Sequence, residues 1–363
     1  MNESLDWIDI GAAGDFKKVS LNEAKVGERR VAVSYRNGQF GVISNVCNHV
    51  GGPLGKGRLD GEYVVCPWHQ YKFHRCTGAG EPGYEADKVP AYAVREEGGR
   101  LLVSAKATSA RGAMQHAPHP LTRSTEQRTP GPLRVGGIST TVMDPQNPRF
   151  STSEHLLGVA LDHAHGALGA ETKMIRLNDL TFRHCEGYYS MAAKACTWPC
   201  SITAKDQSDQ LDQVYEMAVH WADVLLIATP IRWGAASSLY YKMVERMNCI
   251  QNQITINNKV LIRNKVAAFI ITGGQDGIQA VAGQMMLFFG EVGFVVPQFP
   301  FIAHSLGWEF EEMDRNVELV AHNDSLRKGA CDLAVRSVEM AKALLERDMT
   351  HARIERGGRK ASA

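Results

Sequence analysis

The sequence predicts two domains of different class: a small all-β domain, followed by a larger α/β domain built on a doubly wound parallel sheet. Three observations predict this. Between Val31 and about Ser104, short β-type segments are broken by glycine and proline. Between Ala105 and Pro132 the composition turns to Ala, Ser, Thr, Pro and Arg, with almost no large apolar residue to bury. Beyond Leu133, apolar runs of strand length alternate with amphipathic helical stretches, the pattern of a parallel sheet covered on both faces.

The expected boundaries are a first domain over 1–105, a flexible linker over 106–132, a second domain over 133–348 and a polar tail over 349–363. In the first domain the segments are VAVSYRNGQFGVISNV, GEYVVCPW, YKFHRCTG and AYAVREEGGRLLVSA, and Arg36-Asn37-Gly38-Gln39 marks a hairpin. In the second, the strands are LRVGGI, TKMIRL, DVLLIAT and VAAFIIT. Helices are expected from Ser153 to about Gly169, Asp209 to Ala222, Leu239 to Asn248 and Ile278 to Glu291. A last periodic stretch, Val317 to Leu345, is one long helix or two short ones.

Length and charge narrow the function. A chain of 363 residues exceeds what one core usually serves, and 44% hydrophobic against 22% charged residues is an ordinary globular balance. Forty basic and thirty-nine acidic residues leave a net charge of +1, with no field to draw in nucleic acid or an anionic membrane. No run approaches the roughly 18 apolar residues of a membrane span, so the expectation is a cytoplasmic protein without nucleic-acid or membrane partners. Eight cysteines are too sparse for a disulfide scaffold and point to metal or redox chemistry.

Their spacing is informative. Cys47-x-His49 is followed, sixteen residues on, by Cys66-x-x-His69, so each of two loops offers one thiolate and one imidazole. A two-iron cluster with both thiolates on one iron and both imidazoles on the other needs this set. Gly51-Gly52-Pro53-Leu54-Gly55 lets the backbone turn tightly beside the cluster, and Pro67 and Trp68 shape the second tip. The alternative is a Cys2His2 zinc site, where paired ligands are normally two to four residues apart, against one between Cys47 and His49. With CNHVGGPLGKG and CPWHQYKFHRCTG, residues 6 to about 104 resemble the soluble Rieske ferredoxins that feed electrons to aromatic-ring oxygenases. Cys76 has no ligand counterpart there and reads as a free thiol. Two imidazoles in place of two thiolates raise the potential, to between about −150 and +300 mV in general.

A parallel α/β sheet binds ligands beyond the carboxyl ends of its strands. After LRVGGI come Ser139-Thr140-Thr141 and then Arg149-Phe150-Ser151-Thr152-Ser153, whose hydroxyls and free N–H groups at a helix start suit a phosphate; helix capping is the alternative role. Thr229-Pro230-Ile231-Arg232-Trp233-Gly234 offers a rigid turn to the polar edge of a flat ring, with Trp233 either walling that ring or serving as a core or dimer-interface aromatic. Thr272-Gly273-Gly274 permits close backbone approach. Together these loops resemble the NADPH-dependent FMN reductases and iron-sulfur flavoproteins of flavodoxin-like fold, over about Leu133 to His304. The resemblance implies FMN, NAD(P)H and a homodimer or homotetramer.

The chain departs from that family in two places. Its phosphate loop is longer than the family's Ser-x-Arg-x-x-Ser form. Where the iron-sulfur members carry a compact four-cysteine motif, Tyr188 and Met191 stand at the second and third cysteine positions; Cys185, with Cys196 and Cys200 further on, leaves a [4Fe-4S] cluster one thiolate short unless His184 or another subunit completes it. Cys249 and Cys331 read as small core residues.

NAD(P)H gives up two electrons as a hydride and the iron cluster takes one, a mismatch that a flavin bridges. The expected activity is an NAD(P)H-dependent FMN oxidoreductase that passes electrons to the Rieske [2Fe-2S] cluster and on to an acceptor, a terminal oxygenase or a small molecule. The alternatives are a quinone, nitro or free-flavin reductase with an auxiliary cluster, and a redox-sensing binding protein. No side chain is expected to act as a general acid or base. His304, Arg232 and Tyr241 are candidates to line the approach, each with a structural role as its alternative.

Overall fold

The computed structural model describes residues 6–112, 118–125, 128, 131–273, 277–306 and 310–346. Gly274, the middle of the expected linker and the expected tail at 349–363 lie outside the described residues. The chain divides into two compact units: Met1–Pro118 with Gly187–Ala195, and His119–Glu186 with Cys196–Ala363.

The first unit holds β1 (Trp7–Ala12), α1 (Ala13–Lys17), β2 (Leu21–Val26), β3 (Arg29–Arg36), β4 (Gln39–Ser44), β5 (Arg58–Asp60), β6 (Tyr63–Val65), β7 (Lys72–His74), β8 (Ala91–Glu97) and β9 (Arg100–Ala107). Six strands pair antiparallel in the order β1-β9-β8-β4-β3-β2, and β5-β6-β7 form a separate small sheet. The β3–β4 hairpin turns at Asn37 and Gly38 with φ of 51° and 78°, both central residues left-handed as a type I′ turn requires. Strand periodicity then splits the core in two. Val31, Val33 and Val42 face Leu101 and Val103. Ala32 and Ile43 point the other way, to Leu54, Val64 and Phe73, in the cluster that also buries Cys47 and Cys66. The outermost strands β1 and β2 were not expected. Each is six residues long, and β2 (LNEAKV) carries charged residues on its outer face, as an edge strand does.

The second unit holds β10 (Arg134–Ser139), α2 (Thr152–Gly166), β11 (Glu171–Arg176), α4 (Ser201–Lys205), α5 (Asp212–Tyr215), β12 (Val224–Pro230), α6 (Ser238–Asn257), β13 (Val266–Gly273), α7 (Ile278–Val292), β14 (Phe301–Ser305), α8 (Phe310–His322) and α9 (Asp324–Glu346); the short helix α3 (Tyr188–Met191) is grouped with the first unit. All strand pairs are parallel, in the order β11-β10-β12-β13-β14. That is the flavodoxin-like order 2-1-3-4-5.

Burial on both faces explains the continuous apolar strands. Leu225 and Ile227 of β12 with Ala267, Phe269 and Ile271 of β13 pack against α6 and α7 through Met243, Met247, Met285 and Phe289. Their neighbours Val224, Leu226, Val266, Ala268 and Ile270 pack against α2 and α9 through Leu156, Leu157, Leu161, Leu333 and Val338. In β10 the two faces meet Gly136 and Gly137, where a β-carbon would come within 2.7 Å of Met217 Sδ and of Leu161 Cδ1, so helices on both sides close onto bare backbone.

Several expected elements change extent. The helix expected at Asp209–Ala222 is α5 continued by a π-helical turn, Glu216–Trp221. α6 runs nine residues past the expected Asn248, because Cys249, Ile250, Asn252 and Gln253 are buried on it, and it ends where Asn258 turns left-handed at φ 49°. β14 was not expected; five residues after Pro300 are too short a run for periodicity to resolve.

The described parts of the expected linker 106–132 are anchored at both ends. Thr108 N–H donates to Ala91 O and Gly112 N–H to Lys88 O, each at 2.7–2.9 Å. Leu121, one of the few large apolar residues there, is 3% exposed in the second unit's core. Arg123 pairs with Glu216, and Arg128 grips both oxygens of Asp223.

Candidate functional site

The two candidate ligand loops share one backbone pattern. Cys47 N–H donates to Gly52 O and Gly51 N–H to Cys47 O; Cys66 N–H donates to Tyr71 O and Gln70 N–H to Cys66 O, at 2.8–3.1 Å. The fourth residue after each cysteine is left-handed, Gly51 at φ 82° and Gln70 at φ 59°. Each loop is thus a tight turn that starts at its cysteine and points the following histidine inward.

The side chains meet as two pairs. His49 Nδ1 lies 3.0 Å from His69 Nδ1, the rings edge to face with centroids 4.5 Å apart. Cys47 and Cys66 are close enough to hydrogen-bond, and this contact, with burial, pushes the Cys47 thiol up. Cys47, Cys66 and His69 are 3%, 1% and 1% exposed. A β-carbon on Gly52 would fall 2.8 Å from Cys66 Sγ and 3.1 Å from Trp68, so only glycine fits there. Thiols together and imidazoles together suit two irons with two protein ligands each.

Asn48, between two candidate ligands, is held from several sides. Its Nδ2 donates to Asp87 Oδ1 and Lys88 O, and its Oδ1 accepts from Arg111 Nη1. Arg111, inside the expected linker, also donates to Val46 O. Tyr71 stacks on His49 with centroids 4.7 Å apart, and burial pushes its hydroxyl up to about 12.

In the second unit a cavity of about 450 Å³ opens at the carboxyl ends of β10, β12 and β13. It is lined by Thr141, Val142, Met143, Arg149, Phe150, Ser151, Thr152, Pro230, Ile231, Arg232, Thr272 and Gly273, and from α8 by Asn316 and Val317. Of the residues expected to hold FMN, Arg149, Ser151, Thr152, Pro230, Ile231, Arg232, Thr272 and Gly273 come together here. Ser151 caps α2, its Oγ accepting from Glu154 N–H at 3.3 Å and bonding Thr141 Oγ1 at 2.7 Å. Thr152 Oγ1 meets Thr272 Oγ1 at 2.6 Å, which links the first loop to the third. The hydroxyls, the Arg149 guanidinium and the helix start make a donor set that suits a phosphate, and the volume suits a cofactor-sized ligand.

Other expected flavin residues lie outside the lining. Ser139 is buried and donates to Glu154 Oε2 at 2.7 Å; Ser153 is buried under Thr141; Thr229 is buried and accepts from Ser237 N–H at 3.1 Å. All three brace the loops from behind. Trp233 and Gly234 form the tip of a turn at φ 51° and 69°, closed by Arg232 N–H to Ala235 O, and Trp233 is 88% exposed, which rules out the core role.

Asn316 and Val317 went unrecognised because nothing in a helical pattern so far down the chain marks it as cavity lining. His304 pairs in register with Thr272, and burial, opposed by Asn316, holds its imidazole below the usual range. Tyr241 donates to Gln284. The thiols considered for a second cluster take other partners: Cys196 Sγ accepts from Asn248 Nδ2 at 3.5 Å, and Cys200 Sγ from Arg246 Nε at 3.3 Å.

Comparison with known proteins matches each unit separately. The family model of the Rieske [2Fe-2S] domain matches residues 6–93, and that of the NADPH-dependent FMN reductases matches 145–309. A human Rieske domain-containing protein is 39% identical over 75 residues, which is 20% of this chain and 48% of that protein. The ferredoxin component of a Ralstonia naphthalene 1,2-dioxygenase/salicylate 5-hydroxylase system is 26% identical over 98 residues, 27% of this chain and 94% of that one. On the other side, 8-demethyl-8-aminoriboflavin-5'-phosphate synthase of Streptomyces davaonensis is 33% identical over 131 residues, 36% of this chain. This chain spans about half the length of the human and Streptomyces relatives, 48% of each. With a separate family matched on either side of residues 94–144, the chain is a fusion of a Rieske [2Fe-2S] domain with a flavodoxin-like NADPH-dependent FMN reductase domain.

Proposed function

We propose that this protein oxidises NAD(P)H and delivers the electrons one at a time to an acceptor, a terminal oxygenase being the first candidate. The observation that carries the reading is the presence, on one chain, of paired thiols and paired imidazoles at two matching turns and of a phosphate-suited cavity at the carboxyl ends of a parallel sheet. When bound, a flavin takes two electrons as a hydride and releases them singly, and a Rieske cluster takes one at a time.

Cys47, Cys66, His49 and His69 would hold the irons, with Gly52 leaving room for Cys66 sulfur. Arg149, Ser151, Thr152 and Thr141 would hold the flavin phosphate, while Pro230, Ile231, Arg232, Thr272 and Gly273 would line the ring. The hydride donor needs positioning rather than a proton-transfer residue, and the open side of the cavity admits it. Two relatives support the reading: a ferredoxin component of a dioxygenase system, and a synthase whose named product is a riboflavin-5'-phosphate derivative.

The test is anaerobic mixing of protein loaded with FMN and iron-sulfide with NADH or NADPH. The flavin band should bleach first and the cluster band after it, and Cys66→Ser protein should bleach its flavin alone. A cluster still oxidised minutes after the flavin is reduced would overturn the route. Steady-state quinone reduction at full rate by Cys66→Ser would favour a plain flavin reductase with an auxiliary cluster.

A further inference from the structure

The first unit includes residues 187–195, and this segment contacts a candidate iron ligand 126 positions earlier in the chain. The Ala195 carbonyl oxygen lies 2.5 Å from His69 Nε2. The Tyr188 ring meets the same imidazole edge to face, centroids 5.3 Å apart at 75°. His69 is 1% exposed and Ala195 0%, whereas His49 is half-buried and stacks on Tyr71. The two imidazoles are therefore not equivalent.

The segment is shaped to aim that carbonyl. Gly187 is left-handed at φ 66°, which starts the single turn of α3. Ser190 N–H donates to Gly187 O at 2.8 Å, Ala192 N–H to Tyr188 O at 3.3 Å and Ala195 N–H to Ala192 O at 2.8 Å. A carbonyl only accepts, so Nε2 of His69 must carry the proton. Nδ1, which faces His49, is then left with its lone pair, the form in which an imidazole binds metal.

We infer that residues 187–195 are a positioning strap for His69, in which the Ala195 carbonyl fixes the tautomer and the Tyr188 ring fixes the ring plane. A ligated imidazole that donates its other N–H to a carbonyl is a stronger donor to iron, so the strap lowers the reduction potential of the site. It also closes the Nε2 edge of His69 to solvent and leaves His49 as the more open imidazole. The inference rests on His69 being an iron ligand, as proposed above.

The experiment uses full-length, iron-loaded protein at one pH. Iron and acid-labile sulfide are assayed first; their absence from the wild-type protein would overturn the ligand assignment itself. The midpoint potential of the cluster is then measured by spectroelectrochemical titration. Tyr188→Ala, and Ala195→Pro, which removes the N–H bond to Ala192 that aims the carbonyl, should shift the potential upward, while Tyr188→Phe should keep the wild-type value. Unchanged potential in fully loaded Tyr188→Ala and Ala195→Pro would overturn the strap. A second measurement needs no variant: in D2O, deuterium spin-echo spectroscopy of the reduced protein should show the Nε2 proton of one histidine exchanging at once and that of the other slowly. Immediate exchange at both would overturn the inference.

Discussion

At Gly52 a single β-carbon decides whether the cluster forms. It would sit 2.8 Å from Cys66 Sγ and 3.1 Å from the Trp68 ring, both anchored in the same core, so neither neighbour can retreat without moving a ligand loop. Gly52→Ala should lower iron and sulfide content about tenfold or more while leaving the FMN site loaded, as colorimetric iron, sulfide and flavin assays on one sample would register. Arg149 offers a complementary test. It lines the cavity from an exposed loop, so Arg149→Ala should weaken FMN binding about tenfold and leave riboflavin binding unchanged, by fluorescence titration of both. Equal losses for the two ligands would remove Arg149 from the phosphate site. The two matching Cys/His turns were readable from spacing alone because a two-iron site needs a fixed donor set on two short loops. Tyr188 and Ala195 were not, since a backbone carbonyl carries no side-chain signature, and Tyr188 stood out only as a missing cysteine. Ser139, Ser153 and Thr229 lie behind the cavity rather than in its lining, a difference the sequence does not carry: hydroxyls that brace a loop and hydroxyls that line a cavity look alike there.

Among the elements, α6 is the one most dependent on polar contacts. Arg246, on its buried face, donates to both oxygens of Asp209, to Arg183 O, to Thr203 Oγ1 and to Cys200 Sγ, and both members of the ion pair are 0% exposed. One residue thereby ties the helix to the irregular stretch between β11 and α5. Burial alone would raise the Asp209 carboxyl, but Arg246 together with the Arg183 N–H and Thr203 holds it below the usual carboxylate range. A depressed folded-state value contributes stability above the unfolded value near pH 3.9, and that contribution is lost as pH falls through the lower folded value. Asp209→Asn should remove this acid-side slope, and Arg246→Met should cost about 3–5 kcal/mol by leaving a buried carboxylate unpaired, both measurable by urea unfolding across pH. A cost under about 1 kcal/mol for Arg246→Met would mean the pair is solvated. Sequence periodicity found the central strands β10, β12 and β13 because apolar residues buried on both faces form unmistakable runs, and it also found the edge strand β11. It missed β1, β2 and β14, where short strands carry polar residues or follow a proline, and it stopped α6 early because buried Asn252 and Gln253 read as polar surface.

For the whole molecule, the consequence of joining two redox sites in one chain is kinetic. On the proposed route a hydride donor supplies electrons in pairs and a Rieske site accepts them singly, so the two sites would exchange once for each electron delivered. On separate proteins that exchange would slow with dilution. On one chain the covalent connection makes it independent of the bulk concentration. A formal net charge of +1 adds no long-range attraction between separate copies. After anaerobic mixing with NAD(P)H, the rate constant for cluster reduction should therefore stay constant over an about tenfold dilution of the protein and change little with salt. Mixing FMN-loaded Cys66→Ser protein with cluster-loaded, flavin-free Arg149→Ala protein forces the exchange between molecules, and its rate should then rise in proportion to concentration. If the intact chain already shows that proportionality, the electrons pass between copies, and covalent fusion serves co-production of the two domains rather than electron delivery within one molecule.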